Sequence, residues 1–250
     1  MKQVSTMKLA RWARVEELPV AGVCFVEDAP DLPESLAQLN VAMGAGDEAR
    51  VAELLARGAE RVLLGDIALD SAAVKRLVEQ HGSERIGIWM RAARVNIRWT
   101  MADEAPNAGF KCMFPTVAVA GWEMLKTDGS SADNRVEWWI GQVLAMGVSM
   151  ALVSIDMEDK DMNICATLIL DHGDKLWFSP RVEPDADLEP WVKWGQVRQL
   201  VLPSPNARDE AEMARICASA MVMVEGEEED VAADTEADAA GNGGESAVQA

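Results

Sequence analysis

The chain has 250 residues, enough to bury one sizeable core, and its 49% hydrophobic and 26% charged content suits a globular domain, not a disordered or fibrous one. The formal net charge is −19; nine acidic residues and no basic one fall within 225–250, leaving −10 on the rest. That balance repels phosphate backbones and anionic lipid, which argues against nucleic-acid and membrane-surface binding.

Taken in chain order, Lys2, Lys8, Arg11 and Arg14 precede no continuous apolar stretch, so no secretory signal is expected. No apolar run approaches the length of a membrane span, and a cytoplasmic location is expected. A helix is expected near 8–18, then strands at 21–26 and 39–43. Asp47 can cap a helix in which Val51, Leu54 and Leu55 share one face, with Gly58 ending it. A buried strand follows at 61–65, then a helix with Val74, Leu77 and Val78 inward, stopped near Gly82. The next strand is 86–90. Residues 98–120, with Pro106 and Pro115, interrupt the alternation and read as an excursion at the C-terminal strand ends. Val136, Trp139, Ile140, Val143 and Leu144 make a helix face ending at Gly147, and a strand at 150–155 follows. Strands at 176–179 and 199–202 lead toward helices near 185–195 and 207–222. Strand–helix alternation of this kind builds βαβ units and a parallel sheet. It gives seven strands; an eighth should precede the first helix, and 1–7 is a poor candidate. Residues 225–250 carry Ala, Gly and Ser between their acids and cannot bury enough apolar surface to fold. They read as an acidic, disordered tail on a domain at 1–224: a solubilising segment, or more sharply a docking segment for a basic partner. Cys24, Cys112, Cys165 and Cys217 form no close pair, and three lie in apolar runs, as buried thiols in a reducing compartment do.

Residues 39–70, LNVAMGAGDEARVAELLARGAERVLLGDIALD, resemble the third and fourth units of the phosphoribosyl isomerase and cyclase barrels of histidine biosynthesis (ProFAR isomerase and the cyclase of imidazole glycerol phosphate synthase). Residues 84–99 resemble the fifth strand of that family, Gly121-Trp122-Glu123 its Gly-Trp-Glu, and ALVSIDMED at 151–159 its sixth strand. The resemblance covers roughly 8–222 by the length of one barrel domain. It implies an α/β fold, a TIM-type (βα)8 barrel, incomplete at the first strand unless a partner closes it. It also implies a duplicated half-barrel with a phosphate site in each half. Here those sites fall at Leu64-Gly65-Asp66-Ile67-Ala68 and at Leu202-Pro203-Ser204-Pro205-Asn206-Ala207.

The family's ring-opening isomerisation uses an acid and a base, aspartates at the ends of the first and fifth strands. No aspartate precedes Asp28 here, and Trp89 stands where the fifth strand would carry its own. An indole neither takes nor gives that proton near neutral pH, and its bulk should fill the barrel mouth. The sixth-strand threonine falls at Val153, while Asp156 is retained. Phosphate sites of this kind work through backbone N–H groups in glycine turns and helix N-termini. The third-strand "GGGIR" becomes Ala42-Met43-Gly44-Ala45-Gly46, and Asp66 follows Gly65. A carboxylate about 4 Å from a phosphate charge costs roughly 4 kcal/mol per charge pair at intermediate dielectric. In the second half "SGGV" reads Ser179-Pro180-Arg181-Val182, and Pro203 and Pro205 have no N–H to donate. Five changes in one direction weigh against the parent reaction.

Asp156, Glu158, Asp159 and Asp161 could hold a hard cation, but without EF-hand spacing a solvated loop is the better reading, and no metal or cofactor is expected. His81 and His172 stand alone. Nine tryptophans are present, and in the pairs Trp138/Trp139 and Trp191/Trp194 one member must point partly outward. Such Trp-rich outer helices suit a protein partner or homo-oligomer, or else fill a loosely specified core. The leading expectation is a non-catalytic or repurposed barrel serving as a binding or assembly subunit. The alternative is an enzyme, isomerase or lyase-like, acting on a different anionic small molecule, a sugar phosphate or cofactor-pathway intermediate, at the C-terminal mouth. Arg91 and Arg181 would hold the anion beside Gly65 and Ser204, and Asp66 or Asp156 would move protons.

Overall fold

The computed structural model describes residues 7–18, 22–95, 99–101, 113–115, 120–180, 187–202 and 215. Eight strands form the barrel: β1 (Lys8–Trp12), β2 (Cys24–Glu27), β3 (Leu39–Met43), β4 (Arg61–Leu64), β5 (Ile86–Val95), β6 (Met150–Ser154), β7 (Leu176–Ser179) and β8 (Gln199–Leu202). Each pairs in parallel with the next, and β8 pairs in parallel with β1, so the sheet closes on itself. This is a TIM-type barrel, a closed sheet with no free edge.

Closure corrects the expectation of an incomplete first strand. Lys8–Trp12 is that strand and not part of a helix; Ala10 aligns with Val201 on one side and Trp12 with Phe25 on the other. Both neighbours offer unpaired backbone groups that only an extended segment can satisfy. A single 3-10 turn, Val15–Glu17, follows it. The expected helix after each strand is also missing after β2. Residues 28–38 run as a loop that buries Leu32 and Leu36, and Arg57 fixes it by donating to the carbonyls of Leu32 (2.9 Å) and Pro33 (2.6 Å).

The other connections follow the sequence more closely. In α1 (Glu48–Ala56) the Asp47 carboxylate accepts from the Arg50 N–H at 2.9 Å, and Val51, Leu54 and Leu55 are buried. In α2 (Ser71–His81) Asp70 caps Ala72 N–H at 2.8 Å, and Gly82 stops the helix at φ +88°. The helices α3 (Val136–Ala145), α4 (Met162–His172) and the short α5 (Glu189–Lys193) complete the described outer layer.

Two apolar layers result. Inside the barrel lie Ala10, Phe25, Ala42, Leu63, Trp89, Met150, Leu152, Trp177 and Val201; a second cluster fills the space between barrel and helices. The strand β5 outgrows the barrel. Its last residues, Arg91 to Val95, pair antiparallel with Gly121–Leu125, which pairs in turn with Ser131–Arg135. This hairpin leaves the C-terminal end of β5 and lies beyond the excursion expected at 98–120; of those residues only Trp99–Met101 and Met113–Pro115, which form a two-stranded ribbon, and Ala120 are among the described residues. The helix expected at 207–222, the tail at 225–250, Cys112 and Cys217 lie outside the described residues. Cys24 and Cys165 are buried free thiols, and burial pushes both pKa values up. Among the described residues no helix is long and apolar enough to cross a membrane.

Candidate functional site at the barrel mouth

Side chains alternate along a strand, so a residue two beyond an interior one faces the same way, one layer nearer the rim. Two beyond Ala10, Phe25, Trp89, Leu152 and Trp177 are Trp12, Glu27, Arg91, Ser154 and Ser179. All five line a cavity of about 640 Å³ at the C-terminal mouth, where it is rimmed further by Arg14 and Asp31. That is the size of a small-molecule site.

The floor of the cavity is aromatic. The rings of Trp12 and Trp89 lie 5.6 Å apart, tilted by 53°, and Phe25 lies 5.9 Å from both Trp12 and Trp177. The Trp12 indole N–H donates to Ser179 Oγ at 2.6 Å, and that of Trp89 to Ser154 Oγ at 2.9 Å. The Arg91 guanidinium carbon sits 4.7 Å above the Trp89 ring, a cation–π contact, and Nη1 donates to the Thr127 carbonyl at 3.0 Å.

Sequence reasoning placed Trp89 in the mouth and Arg91 beside it, and both are there. Val153 is different: it points out into the barrel–helix layer, so its missing hydroxyl has no bearing on the mouth, which receives the hydroxyl of Ser154 instead. The sequence motifs do not point to Trp12, Glu27 or Ser154 at the mouth, and they give Ser179 only as part of a phosphate turn. The period-2 alternation counted from the interior residues would have found them.

Gly65 and Asp66 belong to a neighbouring crevice of only about 10 Å³, with Arg91 on the boundary. The Gly65 N–H donates to Met43 O and that of Asp66 to Gly44 O, both at 2.8 Å. The Asp66 carboxylate accepts from the Thr127 N–H at 2.8 Å, and a Cβ at Gly44 would meet the Thr127 hydroxyl at 3.0 Å. The hairpin turn thus packs over the glycine turn expected as the first-half phosphate site, whose Gly65 and Asp66 N–H groups are already taken by the carbonyls of Met43 and Gly44. Asp156 is exposed and does not line the cavity. Arg181 and Ser204 lie outside the described residues.

The acidic string after β6 is held by one arginine. Arg94 on the β5 extension donates to both oxygens of Asp161, to Glu158 at 2.5 Å and to the Asp156 carbonyl at 3.2 Å. Burial alone would raise the Asp161 carboxyl, but the Arg94 guanidinium and the Glu158 N–H hold it below the ordinary aspartate range. No group of three or more metal-ligating side chains occurs among the described residues.

On the outside, Trp139 and Trp191 are buried, while Trp138 and Trp194 are 55% and 58% exposed. Trp138 borders a second cavity, about 600 Å³, formed with Ile164, Thr167 and Leu168 of α4.

No family model and no curated protein matches the chain. Among solved structures it is similar to phosphoribosyl anthranilate isomerase from Thermococcus kodakaraensis, with 10% identity, a TM-score of 0.49, and coverage of 87% of this chain and 98% of that one. The closed strand pairing, not this likeness, makes the chain an eight-stranded parallel barrel.

Proposed function

We propose that this chain is a repurposed relative of the phosphoribosyl isomerase barrels that binds an anionic small molecule at its C-terminal mouth, without the acid–base pair of the parent reaction. One observation carries the reading. The ends of the first and fifth strands deliver Trp12 and Trp89, in contact with each other, into a 640 Å³ cavity whose wall includes Arg91. In the family those two strand ends supply the acid and the base. Indoles bind and orient; they do not transfer protons near pH 7. The filled crevice at Gly65 and Asp66 also removes one of the two anchors a bisphosphorylated substrate needs.

The test has two parts. Purified protein incubated with the parent aminoimidazole ribotide should give no ring-opened product; turnover in the ordinary enzyme range of about 1–10³ per second would overturn the proposal. A thermal-shift titration with small anions should show stabilisation, since a ligand at a hundred times its Kd contributes about 2.7 kcal/mol.

A second reading is favoured by a separate observation. Trp138 on α3 and Trp194 just after α5 expose more than half their surface, and Leu170 is 82% exposed on α4. An assembly role through these helices would appear in sedimentation analysis as self-association that Trp138→Ser or Trp194→Ser reduces.

A further inference from the structure

We infer that the ligand of the mouth is a flat, conjugated ring bearing a single carboxylate, held on the Trp12–Trp89 floor with its carboxylate against Ser154, Ser179 and Arg91. The inference rests on the binding reading above and names the chemical class that the site takes.

The two serines carry the argument. Ser154 and Ser179 are 3% and 2% exposed, and both line the cavity. Each hydroxyl oxygen accepts an indole N–H, which fixes that side of it. Neither hydroxyl donates to an acceptor among the described residues, so both protons remain to be given to something in the cavity. A buried donor left without an acceptor is costly. Arg91 spends one of its five N–H groups on Thr127, and its stack on Trp89 holds the guanidinium at the wall. The mouth therefore presents hydroxyl and guanidinium donors beside an aromatic surface.

Charge weighs against a dianion. Glu27 and Asp31 line the same cavity as Arg14 and Arg91, so the wall carries two charges of each sign. With the wall balanced, charge gives a phosphate dianion no net advantage, since it meets about twice the repulsion from Glu27 and Asp31 that a monoanion does. Phosphate is further disfavoured because the backbone N–H groups at Gly65 and Asp66 are already hydrogen-bonded to Met43 and Gly44. Shape selects the rest of the molecule. Arg91 lies over the nearly buried Trp89 ring, so the aromatic surface open to a planar ring is chiefly that of the half-buried Trp12, tilted against Trp89 at 5.6 Å, and stacking on aromatic side chains prefers flat partners.

The test is a calorimetric titration of the full chain with 2-naphthoate, cyclohexanecarboxylate, ribose 5-phosphate and inorganic phosphate. The expected result is that 2-naphthoate binds at least about tenfold more tightly than the other three, and that Arg91→Gln weakens it by about tenfold or more. Circular dichroism of Arg91→Gln checks that it folds; Ser154→Ala with Ser179→Ala gives a second variant set, with the same expected loss. If ribose 5-phosphate or phosphate binds and 2-naphthoate does not, the inference is overturned while the binding reading stands. Equal affinity for 2-naphthoate and cyclohexanecarboxylate overturns the requirement for a flat ring. If none of the four binds, both the inference and the binding reading fall.

Discussion

Trp12 and Trp89 each donate an indole N–H to a serine on another strand, so two side chains at the mouth are fixed by hydrogen bonds as well as by packing. Trp89→Phe keeps most of the ring contact and loses one hydrogen bond, with an expected cost of about 1 kcal/mol in denaturant unfolding. Trp89→Ala opens a cavity beside Trp12 and Leu152 and should cost about 3–5 kcal/mol. Asp161 gives a pH signature. Its carboxyl is lowered in the folded protein, so the unfolded chain binds the proton more readily. Its contribution is complete above the unfolded value near 3.9 and drains away as pH falls toward the folded value. Asp161→Asn should cost about 3 kcal/mol at pH 7, and the gap from the parent chain should narrow below about pH 4. Only part of this was legible beforehand. Trp89 and Arg91 could be placed because flanking motifs fixed their strand. Ser154, Glu27 and Trp12 could not, because an exposed or hydroxyl side chain at a strand end looks the same in sequence whether it faces the mouth or the helices. One residue of register decides it, as Val153 and Ser154 illustrate.

Among the elements, the hairpin Gly121–Leu125 and Ser131–Arg135 rests on the barrel through its turn. Thr127 donates to Asp66 and accepts from Arg91, while Gly129 at φ +84° closes the turn itself. Asp66→Ala removes the acceptor, and amide exchange over 121–135 should accelerate by about tenfold, the equivalent of roughly 1.4 kcal/mol of local opening. A variant with unchanged exchange would mean that the Asp66 contact does not anchor the hairpin. The helices with both a cap and a periodic face were readable: Asp47 before α1 and Gly82 after α2 are where their chemistry requires them. Asp47→Ala should cost about 1 kcal/mol. The first strand was not readable. Leu9, Trp12 and Ala13 repeat at helical spacing, and nothing local in Lys8–Trp12 outweighs that pattern. Pairing with β8 and β2, distant and adjacent in sequence, decides the conformation instead.

For the whole molecule, closure through β1 makes the barrel one cooperative unit. Deleting residues 1–12 would leave the facing edges of β2 and β8 unpaired, and the expected outcome is loss of a single sharp thermal transition, with aggregation through the open edges. The order of strands was legible because apolar runs alternate with amphipathic segments; the helix missing after β2 was not, since Leu32 and Leu36 cover that face from an irregular loop. The central claim is that the mouth, with its indole floor, is where this protein binds. The most direct measurement follows the indole N–H resonances of uniformly ¹⁵N-labelled protein during titration with 2-naphthoate, assigned with single Trp→Phe variants. The account predicts saturable shifts at Trp12 and Trp89, whose N–H groups bond to Ser179 and Ser154, and none at the exposed Trp138 and Trp194. Shifts confined to Trp138 and Trp194, or no shift at any indole, would contradict it.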